Sequence, residues 1–281
     1  MPSRRRRFRE DRKGLVGIPS QVRFVFGLGR VVLHLALGTF IIAIYFPFAT
    51  SAARENLIGW WSRIVLRLFG MRLELSGRSG DIKGGTLIVL NHVSWIDIYV
   101  THAVRPTRFV SKSEVRDWPL IGYLCEKTGT LFIERGKRRA VREVNDHVAQ
   151  ILRDGGVVGI FPEGTTSDGR DLLPFHANLI QAAIDAGVPI QPISLRYAKP
   201  DGALALDAAY IGEMSLIESV RLILLGAPIL AQVTVLPLIE TSGKTRQQVA
   251  FAARLAIATS LGVDTGDTGF VPDADLQDAR Q

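Results

Sequence analysis

Apolar residues run along this chain in two rhythms. Residues 31–49 (VVLHLALGTFIIAIYFPFA) form an unbroken apolar run, and no Asp, Glu, Lys or Arg occurs between Val31 and Ala53. A run close to the ~20 residues that cross a bilayer core predicts a membrane-embedded helix. Basic residues flank it on both sides, before the run and at Arg54, Arg63 and Arg67 after it, so charge asymmetry does not orient it. Two geometries fit: a tilted spanning helix, or a segment that dips into one leaflet and returns, with Gly38 and Pro47 as break points. A secretory signal peptide fits less well, because the run is long and Pro47-Phe48 is no small-residue cleavage site.

Residues 54–70 (RENLIGWWSRIVLRLFG) switch to helical periodicity. Leu57, Trp61, Ile64, Val65 and Leu68 make one stripe flanked by Arg63 and Arg67, the pattern of an interfacial helix or of a core-packing one. Trp60 and Trp61 favour the headgroup region.

After Gly70 the rhythm becomes short β-rich runs alternating with helical stretches. The strand candidates are MRLELS, TLIVL (86–90), TRFVS, TLFI, VVGIF, VPIQPISL and QVTVLPLI. Over residues 138–153, Val141, Val144, Val148 and Leu152 form one apolar helix face, stopped by Asp154-Gly155-Gly156. Alternation of this kind predicts an α/β fold, a mostly parallel sheet flanked by helices, behind the N-terminal membrane-embedded helical segment. The apolar segment MSLIESVRLILLGAPIL is interrupted by Glu218 and Arg221, which argues for packing on the sheet or touching the membrane rather than a second span. The expected organisation is a basic arm over 1–30, the membrane segment and interfacial helix over 31–69, a catalytic domain over 70–262 and an acidic, disordered tail over 263–281.

Composition sharpens this. With 281 residues, 47% hydrophobic and 22% charged, the chain suits one large domain with an appendage. The formal net charge of +7 is concentrated in the first residues, at Arg4 to Arg7, Arg9, Arg12 and Lys13. Such an arm seeks anionic surfaces, and the apolar run behind it selects lipid over nucleic acid. A single cysteine, Cys125, excludes a disulfide within the chain and any Cys-x-x-Cys pair, and suits a reducing compartment. No His-Glu-x-x-His or spaced Cys/His cluster calls for a metal, and no cofactor motif is present. Ser242-Gly243-Lys244-Thr245 is only half a phosphate loop, since its first glycine would fall at Leu238.

Three constellations carry chemistry. Strand TLIVL runs into Asn91-His92-Val93-Ser94-Trp95-Ile96-Asp97, leaving His92 at the C-terminal edge of a sheet, where α/β proteins place their sites. Asp97 can orient the imidazole while His92 removes a proton near neutral pH; a helix-capping role for Ser94-x-x-Asp97 is compatible with this. Strand VVGIF leads to Phe161-Pro162-Glu163-Gly164-Thr165, where Glu163 can bind a hydroxyl and Gly164 lets backbone approach a ligand. In Phe132-Ile133-Glu134-Arg135 an arginine at a strand end can take a phosphate in bidentate fashion.

Asn-His-x4-Asp, Phe-x-x-Arg, Phe-Pro-Glu-Gly-Thr and Val188-Pro189-Ile190-x-Pro192 stand in one order and spacing. Over about residues 73–238 the chain resembles the lysophosphatidic acid acyltransferases of the glycerolipid acyltransferase superfamily. The resemblance implies His92 as general base and Asp97 as its partner. It also implies an acceptor site formed by Asn91, Arg135, Glu163, Gly164 and Thr165. The reaction implied is transfer of a fatty acyl chain from acyl-CoA or acyl carrier protein to the sn-2 hydroxyl of lysophosphatidic acid, at a membrane and facing the cytoplasm (the inner membrane, if the cell is bacterial). The sequence departs from the commonest pattern at Thr166, where arginine is frequent, and at His176, where Phe-Lys is frequent. Those departures remove two phosphate contacts and bring lyso-ornithine lipid forward as an alternative acceptor; Lys112, Arg138 and Arg139 are the cations that would compensate for the missing contacts if the acceptor is lysophosphatidic acid. A thioesterase or lipase using Ser94 or Cys125 is less well supported, because Gly-x-Ser-x-Gly is absent. A non-catalytic membrane-binding protein is the remaining alternative.

Overall fold

The computed structural model of the chain describes residues 19–77, 82–118, 120–134 and 138–265. The basic residues Arg4 to Lys13, Arg135 and residues 266–281 of the acidic tail lie outside the described residues. The apolar run forms helix α1 (Ser20–Tyr45), which starts upstream of Val31 and ends in a single 3-10 turn, Phe46–Phe48, containing Pro47. Of the two expected break points only Pro47 acts as one. Gly38 lies within α1, where a Cβ would sit 2.7 Å from the Trp61 indole; the glycine is there for close packing.

Helix α2 (Ser51–Leu68) begins at Thr50, whose hydroxyl accepts the Ala53 N–H. Trp61 turns towards α1 and stacks on His34 at 4.7 Å, while Val65 and Leu66 are buried in the core and Trp60 is 52% exposed.

A seven-stranded sheet follows: β1 (Met71–Gly77), β2 (Thr86–Leu90), β3 (Arg108–Lys112), β4 (Leu131–Ile133), β5 (Val157–Ile160), β6 (Ile190–Ala198) and β7 (Ile229–Val235). The spatial order is β1-β7-β6-β2-β5-β3-β4, and every neighbouring pair is parallel except β6 with β7. The helices are α3 (Asp97–Val104), α4 (Ile121–Lys127), α5 (Arg138–Arg153), α6 (Gln181–Ala186), α7 (Leu216–Leu225) and α8 (Arg246–Leu261).

Strand β2 is central and buried at every residue, as a parallel strand covered on both faces must be. Leu87 and Val89 join one core with Val148, Leu152, Ala182, Val249 and Ile257 from α5, α6 and α8. Ile88 and Leu90 join the other with Leu66, Val100 and Ile223 from α2, α3 and α7, against which Phe24, Leu28 and Val31 of α1 pack. Glu218, which interrupts the apolar α7 segment, closes a capping box with Ser215. Thr245 of the half phosphate-loop motif does the same for α8 with Gln248. The two β-α units that matter are β2-α3 and the β5 loop, because β2 and β5 are adjacent and parallel and their C-terminal ends meet.

Candidate active site

His92 lies just past β2 and Asp97 opens α3. The His92 Nδ1 stands 2.8 Å from Asp97 Oδ2. The same oxygen accepts the backbone N–H of Val93 at 2.7 Å and of Ser94 at 2.9 Å, and Oδ1 accepts the Tyr197 hydroxyl at 2.6 Å. Asp97 is fully buried. A buried carboxylate with four donors is an acceptor at every lone pair, so the shared proton belongs to Nδ1 and the lone pair is left on Nε2. The expected capping box is half present: Asp97 takes the Ser94 N–H, but the Ser94 hydroxyl is buried with no partner among the described residues.

The His92 ring stacks on Phe161 at 4.0 Å, and Phe161 stacks on Phe109 at 5.5 Å. Gly159 makes room for that column, since a Cβ there would lie 2.8 Å from the Phe109 ring. One face of the imidazole is therefore closed, and the His92 side chain keeps 19% of its surface exposed.

Glu163 is 4% exposed. Its Oε1 accepts the His92 backbone N–H at 2.6 Å, and its Oε2 accepts the Leu173 N–H at 3.0 Å. Burial pushes its carboxyl up to about 7, against the pull of those two N–H bonds; the Asp97 charge adds to the rise and the Arg254 charge opposes it. Arg254, itself buried, reaches from α8 to the Leu173 carbonyl at 3.1 Å and the Leu172 carbonyl at 2.9 Å. It thereby fixes the turn that presents the Leu173 N–H.

Asn91 faces the sheet: Nδ2 donates to the Leu195 carbonyl at 2.9 Å and Oδ1 accepts the Leu195 N–H at 2.7 Å. Both of its polar ends tie β2 to β6. Gly164 takes a positive φ of 70°, which glycine adopts without strain, and Thr165 is exposed. The loop they start is tied down by the Ser167 N–H, which donates to the His92 carbonyl at 2.9 Å, and by the Thr166 hydroxyl on the Tyr210 carbonyl. His176 is exposed, Lys112 ends β3, and Arg139 pairs with Glu143 at 2.8 Å on the surface. Burial pushes the Cys125 thiol up, the opposite of what an activated nucleophile needs.

Tyr197, Leu173 and Arg254 join the site without having been expected there, and Phe161, expected only as the start of the Glu163 motif, stacks on the imidazole. Tyr197 had a signal: it shares the apolar face of β6 with Ile193 and Leu195, and a tyrosine on such a face needs a partner for its hydroxyl.

Comparison with known proteins decides the family. The acyltransferase family model matches residues 72–196. The chain is 36% identical over 236 residues to the lyso-ornithine lipid O-acyltransferase of Pseudomonas aeruginosa, covering 83% of this chain and 90% of that protein. The chain belongs to the lysophosphatidic acid acyltransferase family. It is also 39% identical over 158 residues to the 1-acyl-sn-glycerol-3-phosphate acyltransferase of Neisseria meningitidis, covering 56% of this chain and 62% of that relative. The fold is similar to the crystal structure of the 1-acyl-sn-glycerophosphate acyltransferase PlsC from Thermotoga maritima. That match has a TM-score of 0.63 at 17% identity and covers 86% of this chain and 95% of that one. The enzyme is thus a 1-acylglycerol-3-phosphate O-acyltransferase-type acyltransferase, and its relatives within the lysophosphatidic acid acyltransferase family divide between two acceptor lipids.

Proposed function

We propose that this acyltransferase esterifies the free hydroxyl of a lysolipid, taking the acyl chain from a thioester, with His92 as general base. The observation that carries this is the 2.8 Å pairing of His92 Nδ1 with the buried Asp97 carboxylate: with the Nδ1 proton held there, Nε2 accepts the acceptor's hydroxyl proton as the oxygen attacks the thioester carbonyl. The thiolate then leaves, and no covalent acyl-enzyme is required. Asn91 and Glu163 support the dyad from behind, the first through Leu195 and the second through the His92 N–H. Gly164 and Thr165, on the loop beside His92, are left as acceptor contacts, with Arg135 on the headgroup. The buried Ser94 hydroxyl and the raised Cys125 thiol favour direct transfer over a serine or cysteine nucleophile.

The reading favoured for the headgroup is lyso-ornithine lipid. Thr166 and His176 carry no fixed positive charge, the Thr166 hydroxyl is committed to Tyr210, and the relative matched over nine-tenths of its length acts on that lipid by name. Lysophosphatidic acid is the second reading, favoured by Arg135 in its Phe-x-x-Arg setting. The donor is acyl-CoA or acyl carrier protein, and the site faces the cytoplasm from the membrane that holds α1.

The test is thiol release by detergent-purified protein given either donor with lyso-ornithine lipid, lysophosphatidate or no acceptor. His92→Ala is expected to lower turnover roughly 100-fold or more, the lower end for a lost general base. Full turnover in folded His92→Ala protein would sink the mechanism, and release without acceptor would make the protein a thioesterase.

A further inference from the structure

Tyr197 and Asp97 are 100 residues apart in sequence, and their side chains meet at 2.6 Å in the interior. Tyr197 is 2% exposed and Asp97 is wholly buried. The pairing depends on the sheet order: β6 lies beside β2, and the residue near the C-terminal end of β6 comes level with the first turn of α3. Strand β6 is itself locked in register with β2 by Asn91 on Leu195, two residues before Tyr197. A phenylalanine would fill the same apolar slot, so the hydroxyl is there for the carboxylate.

Asp97 uses its two oxygens differently. Oδ2 takes His92 and the two backbone amides of its own turn, whereas Oδ1 is held by Tyr197 alone among the described residues. The two amides hold Oδ2 in place whatever happens at Oδ1; without the Tyr197 bond Oδ1 would be a buried carboxylate oxygen with no donor, and the charge it keeps would bear more heavily on the imidazolium.

We propose that Tyr197 is a positioning residue for acyl transfer, acting through Asp97: its phenol holds Oδ1 and draws off part of the carboxylate's charge, and so sets the basicity of His92. The inference rests on the His92 reading above. The phenol stays a donor throughout the neutral range, because burial, with the Asp97 charge behind it, pushes its own ionisation well above the usual value. The other ionisable groups that bear on the dyad are Glu163 after β5 and, through Glu163, Arg254 of α8. Both are unchanged in the variants used below.

The experiment is a titration of 15N-histidine-labelled protein in detergent, with the His92 ring signals assigned by their loss in His92→Ala. In Tyr197→Phe the full negative charge of Asp97 is left to the imidazolium. The His92 midpoint should therefore move up by about half a pH unit or more, and kcat/KM near neutral pH should fall by up to about threefold for each half unit and recover on the alkaline side. Uniform 3-fluorotyrosine keeps the shape and makes the phenol a stronger donor, so it should move the midpoint down; this arm stands even if Tyr197→Phe folds poorly. In an Asp97→Asn background, Tyr197→Phe should add almost nothing, as expected for residues acting as a unit. An unmoved His92 titration in folded Tyr197→Phe and in fluorotyrosine protein overturns the proposal and leaves Tyr197 as packing. If instead His92→Ala keeps its activity, the general-base reading fails, while the titration still reports whether Tyr197 governs the imidazole.

Discussion

Glu163 and His102 are two buried groups whose titrations oppose one another. Burial raises Glu163 from 4.5 to about 7. As pH climbs through that window the unfolded chain releases a proton that the folded chain keeps, so stability falls. His102 accepts the Thr107 N–H on Nδ1, and burial lowers it from 6.5 to about 4. Its contribution is complete above the higher value and is lost as pH falls through the lower one. Each effect is about 3 kcal/mol, and they offset each other across mildly acidic pH. Glu163→Gln removes one side of that balance. Its melting temperature in detergent should drop more steeply than the wild type's between about pH 7 and about pH 5; parallel drops would mean that Glu163 is not held neutral by burial. The dyad itself was legible in the sequence because a β run leads straight into His92 and Asp97 within one turn. Tyr197 and Arg254 were not, because their partners are distant in sequence and only the adjacency of β6 to β2 and of α8 to the Leu172-Leu173 turn brings them in.

Elements were legible to the extent that their periodicity is local. All seven runs contain a strand and residues 138–153 form the expected helix, with Val144, Val148 and Leu152 on the packed face; β7 is displaced, starting at Ile229 inside the segment MSLIESVRLILLGAPIL and ending at Val235, short of LPLI. Strand order was not legible, nor was the antiparallel β6–β7 pair, since both depend on contacts between runs. Helix α1 begins before the uncharged stretch because its docking face, Phe24, Leu28 and Val31, starts upstream of it at helical spacing. Arg23 and Arg30 stand off that face, where long side chains can carry their charge to water. The α1–α2 joint turns on Gly38 against Trp61. Gly38→Ala should force the indole aside at a cost of about 1–3 kcal/mol, visible as a lower melting temperature and a changed Trp fluorescence maximum. An unchanged melt and spectrum would show that α1 does not hold this seat.

At the scale of the molecule, one described helix is long and apolar enough to cross a membrane, and its outward face is uncovered. Phe26, Leu33, Leu37, Phe40 and Ile44 recur at helical spacing and are between 51% and 71% exposed, with Phe48 at 87% just beyond. A patch of this kind calls for a lipid or protein cover, and the enzyme's lipid substrates make lipid the economical choice. Binding through apolar area should resist salt, unlike binding through the arginines alone. Flotation with liposomes is expected to retain the wild type at high salt and to lose Leu33→Asp/Phe40→Asp; release of the wild type by salt would transfer the role to charge.

Phe24, Leu28, Val31 and Gly38 clamp α1 to the same rigid body that holds His92. With α1 seated in a bilayer, the cleft has a fixed height above the acyl chains and moves only as the whole molecule slides. Acceptor supply is then a number per unit area, met by lateral diffusion in two dimensions, and the volume of surrounding water drops out of that supply.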